Sequence, residues 1–218
     1  MMDFALARRY MVDSQIRTNR VTDGNLLTVL AQVPRELFVP DRLRGVAYVD
    51  EDLTIKPGRC LMEPMVLARL IQTARIGPSD RVLDIGCATG YSTAVLGRLA
   101  GTVIAVESDP ELAARATELL GQLGVDNATV IVAPMTQGYS KGAPYDAIVI
   151  NGSVPRIADS IAAQLAEGGR LAAVISDGPG MGHGTLMTKT RGVLAARPVF
   201  DAGTPPLPGF EMERGFVF

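Results

Sequence analysis

Two carboxylates flanking a small-residue turn are the side chains of this sequence best suited to hold a ligand. The segment Arg81-Val-Leu-Asp-Ile-Gly-Cys-Ala-Thr-Gly-Tyr-Ser-Thr93 puts Asp84 near the end of a short apolar run. Gly86, Ala88 and Gly90 follow in a turn, and then a helix begins. A second apolar run, Thr102-Val-Ile-Ala-Val-Glu107, ends on Glu107. Val82, Leu83 and Ile85 suit a strand covered on both faces. Small residues in the turn let the backbone bend sharply and come close to a ligand. In open α/β sheets ligands lie beyond the carboxyl ends of the strands. Glu107 falls about twenty residues on, the distance at which a Rossmann-type carboxylate reaches ribose hydroxyls. The turn Gly86-Cys-Ala-Thr-Gly90 lacks the G-x-G-x-x-G spacing of a dinucleotide site. The pattern predicts an adenosine-bearing cofactor of the S-adenosylmethionine (SAM) type rather than a dinucleotide.

The elements that would position these groups alternate from Asp80 onward, which predicts an α/β fold with a doubly wound, mostly parallel sheet. Strands are expected over 81–85, 102–107, 128–133, 145–150 and 170–175. Crossover helices are expected over 91–99, from Asp109-Pro110 to the stop at Gly124, and over 155–166. A closing pair of strands is predicted at 186–190 and 193–199 around Arg191-Gly192. The first residues read differently. Asp23 caps a helix running to Gln32, Pro64 opens another running through Gln72, and prolines punctuate the rest. Residues 1–79 are therefore read as an N-terminal helical extension and substrate-side cap, and 80–218 as the cofactor-binding domain.

Composition narrows the class. The chain has 218 residues, 47% apolar and 20% charged, with a net charge of −2. This is ordinary for a globular enzyme, and no basic footprint for nucleic acid is visible. No apolar run of membrane-spanning length occurs, and no secretory h-region opens the chain. Cys60 and Cys87 are read as reduced thiols, so the expected location is cytoplasmic. His183, the single histidine, lies in Asp177-Gly-Pro-Gly-Met-Gly-His-Gly184 and reads as exposed in a flexible turn. No metal site is expected. The tail Gly203-Thr-Pro-Pro-Leu-Pro-Gly-Phe210 reads as a proline-stiffened segment packing Phe210 and Phe216 onto the domain, in preference to a peptide ligand for another protein.

Further segments carry a resemblance over nearly the whole length. They are Met11-Val-Asp-Ser-Gln-Ile16, Val33-Pro-Arg-Glu-Leu-Phe-Val-Pro40, Ala47-Tyr-Val-Asp50, Gly90-Tyr-Ser-Thr-Ala-Val-Leu96, Gly138-Tyr139, Ala143-Pro-Tyr-Asp-Ala-Ile148 and Gln164-Leu-Ala-Glu-Gly-Gly-Arg-Leu171. With the cofactor loop, they make the chain resemble the protein-L-isoaspartate O-methyltransferase family. The resemblance implies SAM-dependent methylation of the α-carboxylate of isoaspartyl residues in damaged proteins or peptides, a protein-repair activity. It implies that Asp84, Gly86, Ala88 and Gly90 shape the SAM pocket, that Glu107 takes the ribose hydroxyls, and that Met135 and Asn151 lie near the cofactor. An acceptor carboxylate is already ionised at neutral pH, so no strong general base is needed, and the rate would come mostly from positioning.

This sequence departs from the family pattern in two places. The acceptor loop, glycine-glutamine-threonine-isoleucine-serine-glutamine-proline in the family, is Gly58-Arg-Cys-Leu-Met-Glu-Pro64 here. Met62 has no hydroxyl to donate, Glu63 would repel a carboxylate, and Arg59 would offset Glu63 or bind an anion itself. These three are the candidate acceptor-side residues. On the adenine side the family's glycine-aspartate-glycine is Ala133-Pro-Met135, and Pro134 has neither carboxylate nor N–H to offer. Two alternatives therefore stand beside the family reading: a SAM methyltransferase with another acceptor, and a non-catalytic relative that keeps the fold for binding. Oligomeric state is not readable from the sequence.

Overall fold

The computed structural model describes residues 3–177 and 181–211. Helix α1 (Phe4–Tyr10) starts on Asp3, whose carboxylate accepts from the Leu6 amide, and runs into a π-helical stretch, Met11–Ile16. Helix α2 (Gly24–Gln32) is capped by Asp23 in the same way and buries Leu26, Leu27, Val29 and Leu30. Strands β1 (Leu53–Lys56) and β2 (Arg59–Leu61) form a small antiparallel ribbon around Gly58. Helix α3 (Pro64–Ala74) follows with Pro64 in its first turn, where the missing N–H costs nothing.

The central sheet has seven strands: β3 (Arg81–Ile85), β4 (Thr102–Glu107), β5 (Ala128–Val132), β6 (Tyr145–Val154), β7 (Leu165–Ile175), β8 (Gly182–Thr190) and β9 (Val193–Ala202). Their order is β5-β4-β3-β6-β7-β8-β9, parallel from β5 to β7 and antiparallel from β7 to β9. Helices α4 (Tyr91–Gly97), α5 (Pro110–Gln122) and α6 (Asp159–Ala163) lie in the crossovers. The expected doubly wound sheet is present. Its order reverses between β3 and β6, and such a switch point is where this class of sheet opens a crevice for ligand. Strand β3 is buried along Val82–Ile85, as its apolar run requires.

Two elements differ from the sequence reading. The helix expected over 155–166 is only Asp159–Ala163, because β6 runs on to Val154 and Gln164 is used as a bracket. The Gln164 side chain accepts from the Tyr139 amide and donates to the carbonyls of Gln137 and Ser160, while its own carbonyl accepts from Tyr145. The closing strands are longer than expected. Gly182-His-Gly184, read as a flexible turn, is the start of β8 and pairs with Phe200, Asp201 and Ala202. Gly184 is glycine because the Phe200 ring lies over it: an added Cβ would stand 2.3 Å from ring carbons. His183 is exposed as expected, but in a strand, with Nδ1 3.0 Å from Asp201 Oδ1.

The N-terminal extension packs into the same core as one face of the sheet; Met11, Leu30, Phe38 and Leu70 share a cluster with Val82, Tyr91 and Val174. Motif residues brace it. Tyr48 donates to Glu36 and accepts from Arg8 Nε at 2.9 Å, and Arg8 also pairs with Glu36. Phe210 is buried among sheet residues, as the sequence suggested; Phe216 lies outside the described residues.

Candidate active site

Asp84 and Glu107 end adjacent parallel strands, so the fold brings them to one end of the sheet. Asp84 is fully buried. Its Oδ2 accepts from Ser92 Oγ at 2.8 Å and Thr93 Oγ1 at 2.6 Å, and its Oδ1 from Asn151 Nδ2 at 2.6 Å. Burial pushes its carboxyl above the ordinary range, and the three donors oppose that shift. Asn151, expected to lie near the cofactor, clamps Asp84 and the Ile85 carbonyl. Ser92 and Thr93 escaped the sequence reading as ligands of Asp84, although their place in the first turn of α4 was the available signal.

The turn after β3 is wound tightly. Gly86 sits at φ +76°, and Ala88 holds a left-handed φ of +52° that a non-glycine residue adopts only under constraint. The constraint is visible: the Ala88 amide donates to Glu107 Oε2 at 2.9 Å. The other oxygen, Oε1, accepts from the amides of Ser108 at 2.8 Å and Asp109 at 3.1 Å. The Ser108 hydroxyl also donates to Oε1 at 3.4 Å, and the charged donor to this buried carboxylate is the Arg59 guanidinium, whose Nη2 pairs with Oε2 and also reaches the Gly86 carbonyl at 3.2 Å. Contrary to the expectation that Arg59 offsets Glu63 or binds an anion itself, its guanidinium is committed to Glu107 and the Gly86 carbonyl. It turns inward from β2 onto the residue expected to take the ribose.

A second group closes the same cleft. Segment 204–210 crosses the ends of β3 and β6, bonded through Ser153 N to the Pro205 carbonyl at 3.0 Å and Leu207 N to the Ser153 carbonyl at 2.9 Å. Leu207 is buried and lies so close that a Cβ added to Gly86 would meet its Cδ1 at 2.7 Å. Between Gly58, Arg59, Met62, Asn151, Gly152 and Leu207 about 10 Å³ remains, the lower limit for one water. The residue types around Asp84 and Glu107 are those of a SAM cradle, and Arg59 and Leu207 occupy part of it in this arrangement. Beside it, a mostly apolar cavity of about 480 Å³ opens between Ser108, Val132, Pro134, Met135, Pro208 and Gly209. Met135 contributes there while its side chain packs in the core cluster that also holds Leu207.

The sequence model for Protein-L-isoaspartate(D-aspartate) O-methyltransferase matches residues 7–191. The chain is 42% identical over 168 residues to the protein-L-isoaspartate O-methyltransferase of Methanoculleus marisnigri, and 40% identical over the same length to that of Koribacter versatilis. Each match covers 77% of this chain and 76% of the relative. The chain belongs to the protein-L-isoaspartate O-methyltransferase family. Among solved structures, a protein-L-isoaspartate O-methyltransferase superposes with a TM-score of 0.80 at 22% identity; the match covers 94% of this chain and 66% of that one. A Plasmodium falciparum protein crystallised with S-adenosyl-L-homocysteine gives 0.77 at 20% identity, covering 92% and 97%. Identities this low speak to the fold, which all of them share.

Arg35, from the Val33-Pro-Arg-Glu motif, is fully buried. It donates from Nε to the Ala47 carbonyl at 2.8 Å and from Nη2 to the Met62 carbonyl at 2.7 Å, with its guanidinium over the Tyr91 ring. The motif residue thus shapes the loop through its backbone. Met62 is itself buried. The Glu63 amide donates to Asp52 Oδ1 at 2.9 Å, and Asp52 also accepts from Thr204, which ties the loop to segment 204–210, a strap over the cleft. Burial and then the charges of Asp50 and Asp52 push the Glu63 carboxyl up to about 7. At neutral pH it is therefore about half protonated, which softens the repulsion of a carboxylate acceptor that its charge alone predicts. Asp146, near the start of β6, accepts from the Arg81 amide at 2.8 Å.

Proposed function

We infer that this protein transfers the methyl group of SAM to the α-carboxylate of isoaspartyl residues in damaged proteins or peptides. The observation that carries this reading is the pair Asp84 and Glu107 at the switch point of the sheet, in a chain 42% identical over 168 residues to a protein-L-isoaspartate O-methyltransferase. SAM would supply the activated methyl group. The residues assigned to its pocket are Asp84, Gly86, Ala88, Gly90, Glu107, Met135 and Asn151, with Asp84 and Glu107 as carboxylate acceptors and Asn151 acting through Asp84. Met62 and Glu63 belong to the acceptor side, and Arg59, assigned there from the sequence, joins that side to the ribose side through Glu107. Residues 1–79 serve as the substrate-side cap over a cofactor domain of 80–218.

The chain's part is to orient and to exclude water. The strap and acceptor loop, joined through Asp52, cover the carboxyl end of the sheet, and methyl transfer to an ionised carboxylate gains mostly from such positioning. A cytoplasmic location belongs to this reading and is supported by the free thiols of Cys60 and Cys87. Among the described residues no helix is long and apolar enough to cross a membrane. The test is methyl-ester formation from isotopically labelled SAM on an isoaspartyl peptide beside its aspartyl twin. Labelling of the isoaspartyl peptide alone is expected; labelling of neither, at SAM concentrations where binding is measured, overturns the assigned acceptor.

A further inference from the structure

We propose that Arg59 is a gate on the cofactor cleft, competing in cis with the cofactor ribose for Glu107; this rests on the reading of that cleft as the SAM site. A carboxylate has about four lone-pair sites, and both oxygens of Glu107 are fully engaged. Oε1 accepts from the amides of Ser108 and Asp109 and, at 3.4 Å, from the Ser108 hydroxyl, all held by the entry to α5. Oε2 accepts from the Ala88 amide, held by the turn after β3, and from Arg59. A ribose hydroxyl can reach Oε2 only by replacing a donor, and the replaceable one there is the Arg59 side chain.

The pair is built to yield. Arg59 Nε is buried without a partner, so the closed arrangement keeps one desolvated donor unsatisfied, an unfavourable state that opening relieves. Arg59 rides on β2, three residues of a two-stranded ribbon, an element only marginally stable by itself. The ribbon turns at Gly58, at φ +72°. Next to the gate, Leu207 fills the space over Gly86, and Pro208 lines the open apolar cavity on the Pro134 side. A second open cavity is lined by Arg59, Ser108 and Pro208, so the arginine stands beside solvent-accessible space.

The deciding experiment is calorimetric titration with SAM of the wild-type chain, Arg59→Gln and Arg59→Met. Arg59→Gln keeps a polar residue and Arg59→Met a similar length without a donor. Glu107 retains three amide donors in both. The expected result is at least tenfold tighter SAM binding by both variants. Equal or weaker binding would overturn the gate while leaving the SAM site standing. No binding by any of the three chains up to millimolar SAM would overturn the SAM reading and the gate with it. Should both variants fail to fold, phenylglyoxal labelling of the wild-type chain decides. Modification of Arg59, read by peptide mass, is expected to rise when SAM is added, and unchanged labelling overturns the gate.

Discussion

Arg59 and Glu107 stand 48 positions apart and meet in an ion pair whose side chains are 7% and 0% exposed. One comes from the acceptor loop and the other from the end of β4, so the pair ties the two halves of the site. Burying two charges is costly unless their partners satisfy them. Glu107 is fully satisfied and Arg59 is not, which makes the arginine the movable member.

Glu107→Ala is expected to strip Arg59 of its counter-charge and to destabilise the chain by about 3–5 kcal/mol. The double variant Arg59→Met/Glu107→Gln should recover most of that loss in urea unfolding. Glu107→Ala should also weaken SAM binding by at least tenfold in calorimetry; unchanged affinity would remove Glu107 from the ribose.

The acceptor loop can be returned to the family's residue types with Met62→Ser/Glu63→Gln. Met62 is buried, so the change should lower stability by about 1–3 kcal/mol through lost apolar burial. Methyl-ester formation on isoaspartyl peptides should nonetheless rise severalfold. No gain over the parent chain would show that this loop does not limit the reaction.

Glu63 makes stability depend on pH in a definite direction. Its folded carboxyl titrates at about 7 against 4.5 in the unfolded chain, so between those values the folded state holds a proton that the unfolded state has lost. Its contribution is complete below the unfolded value and is lost as pH rises through about 7. Glu63→Gln should therefore raise the melting temperature by roughly 2–4 °C at pH 8, with little effect at pH 4. A rise of the same size at both values would argue against a titrating Glu63.

Gly86 and Leu207 should be energetically coupled. Gly86→Ala forces a Cβ into Leu207 at 2.7 Å and onto a φ of +76°, and Leu207→Ala removes the first problem only. A double-mutant cycle in urea is expected to give a coupling of about 1 kcal/mol or more. Additive single effects would mean that Leu207 does not press on the cofactor turn.

Much of the site was legible because its parts are local. Asp84, the turn through Gly90, and Glu107 at the next strand end follow from runs of apolar residues and small-residue spacing, and the caps at Asp23 and Asp109 from residue type. Helix α6 and strand β8 were misread because local signals lost to tertiary partners. Gln164 is held by Tyr139 and Gln137, and Gly182–Gly184 by pairing across to β9.

By itself the sequence determined the family, the parallel sheet and the two carboxylates that face its crevice, since periodicity, turn chemistry and motif spacing act over a few neighbouring residues. Only the tertiary structure decided who meets those carboxylates. Arg59 lies 48 residues from Glu107, and Leu207 reaches Gly86 from the far end of the chain. Neither contact has a local signature, because an ion pair and an apolar contact form wherever the fold brings charge to charge and removes surface from water.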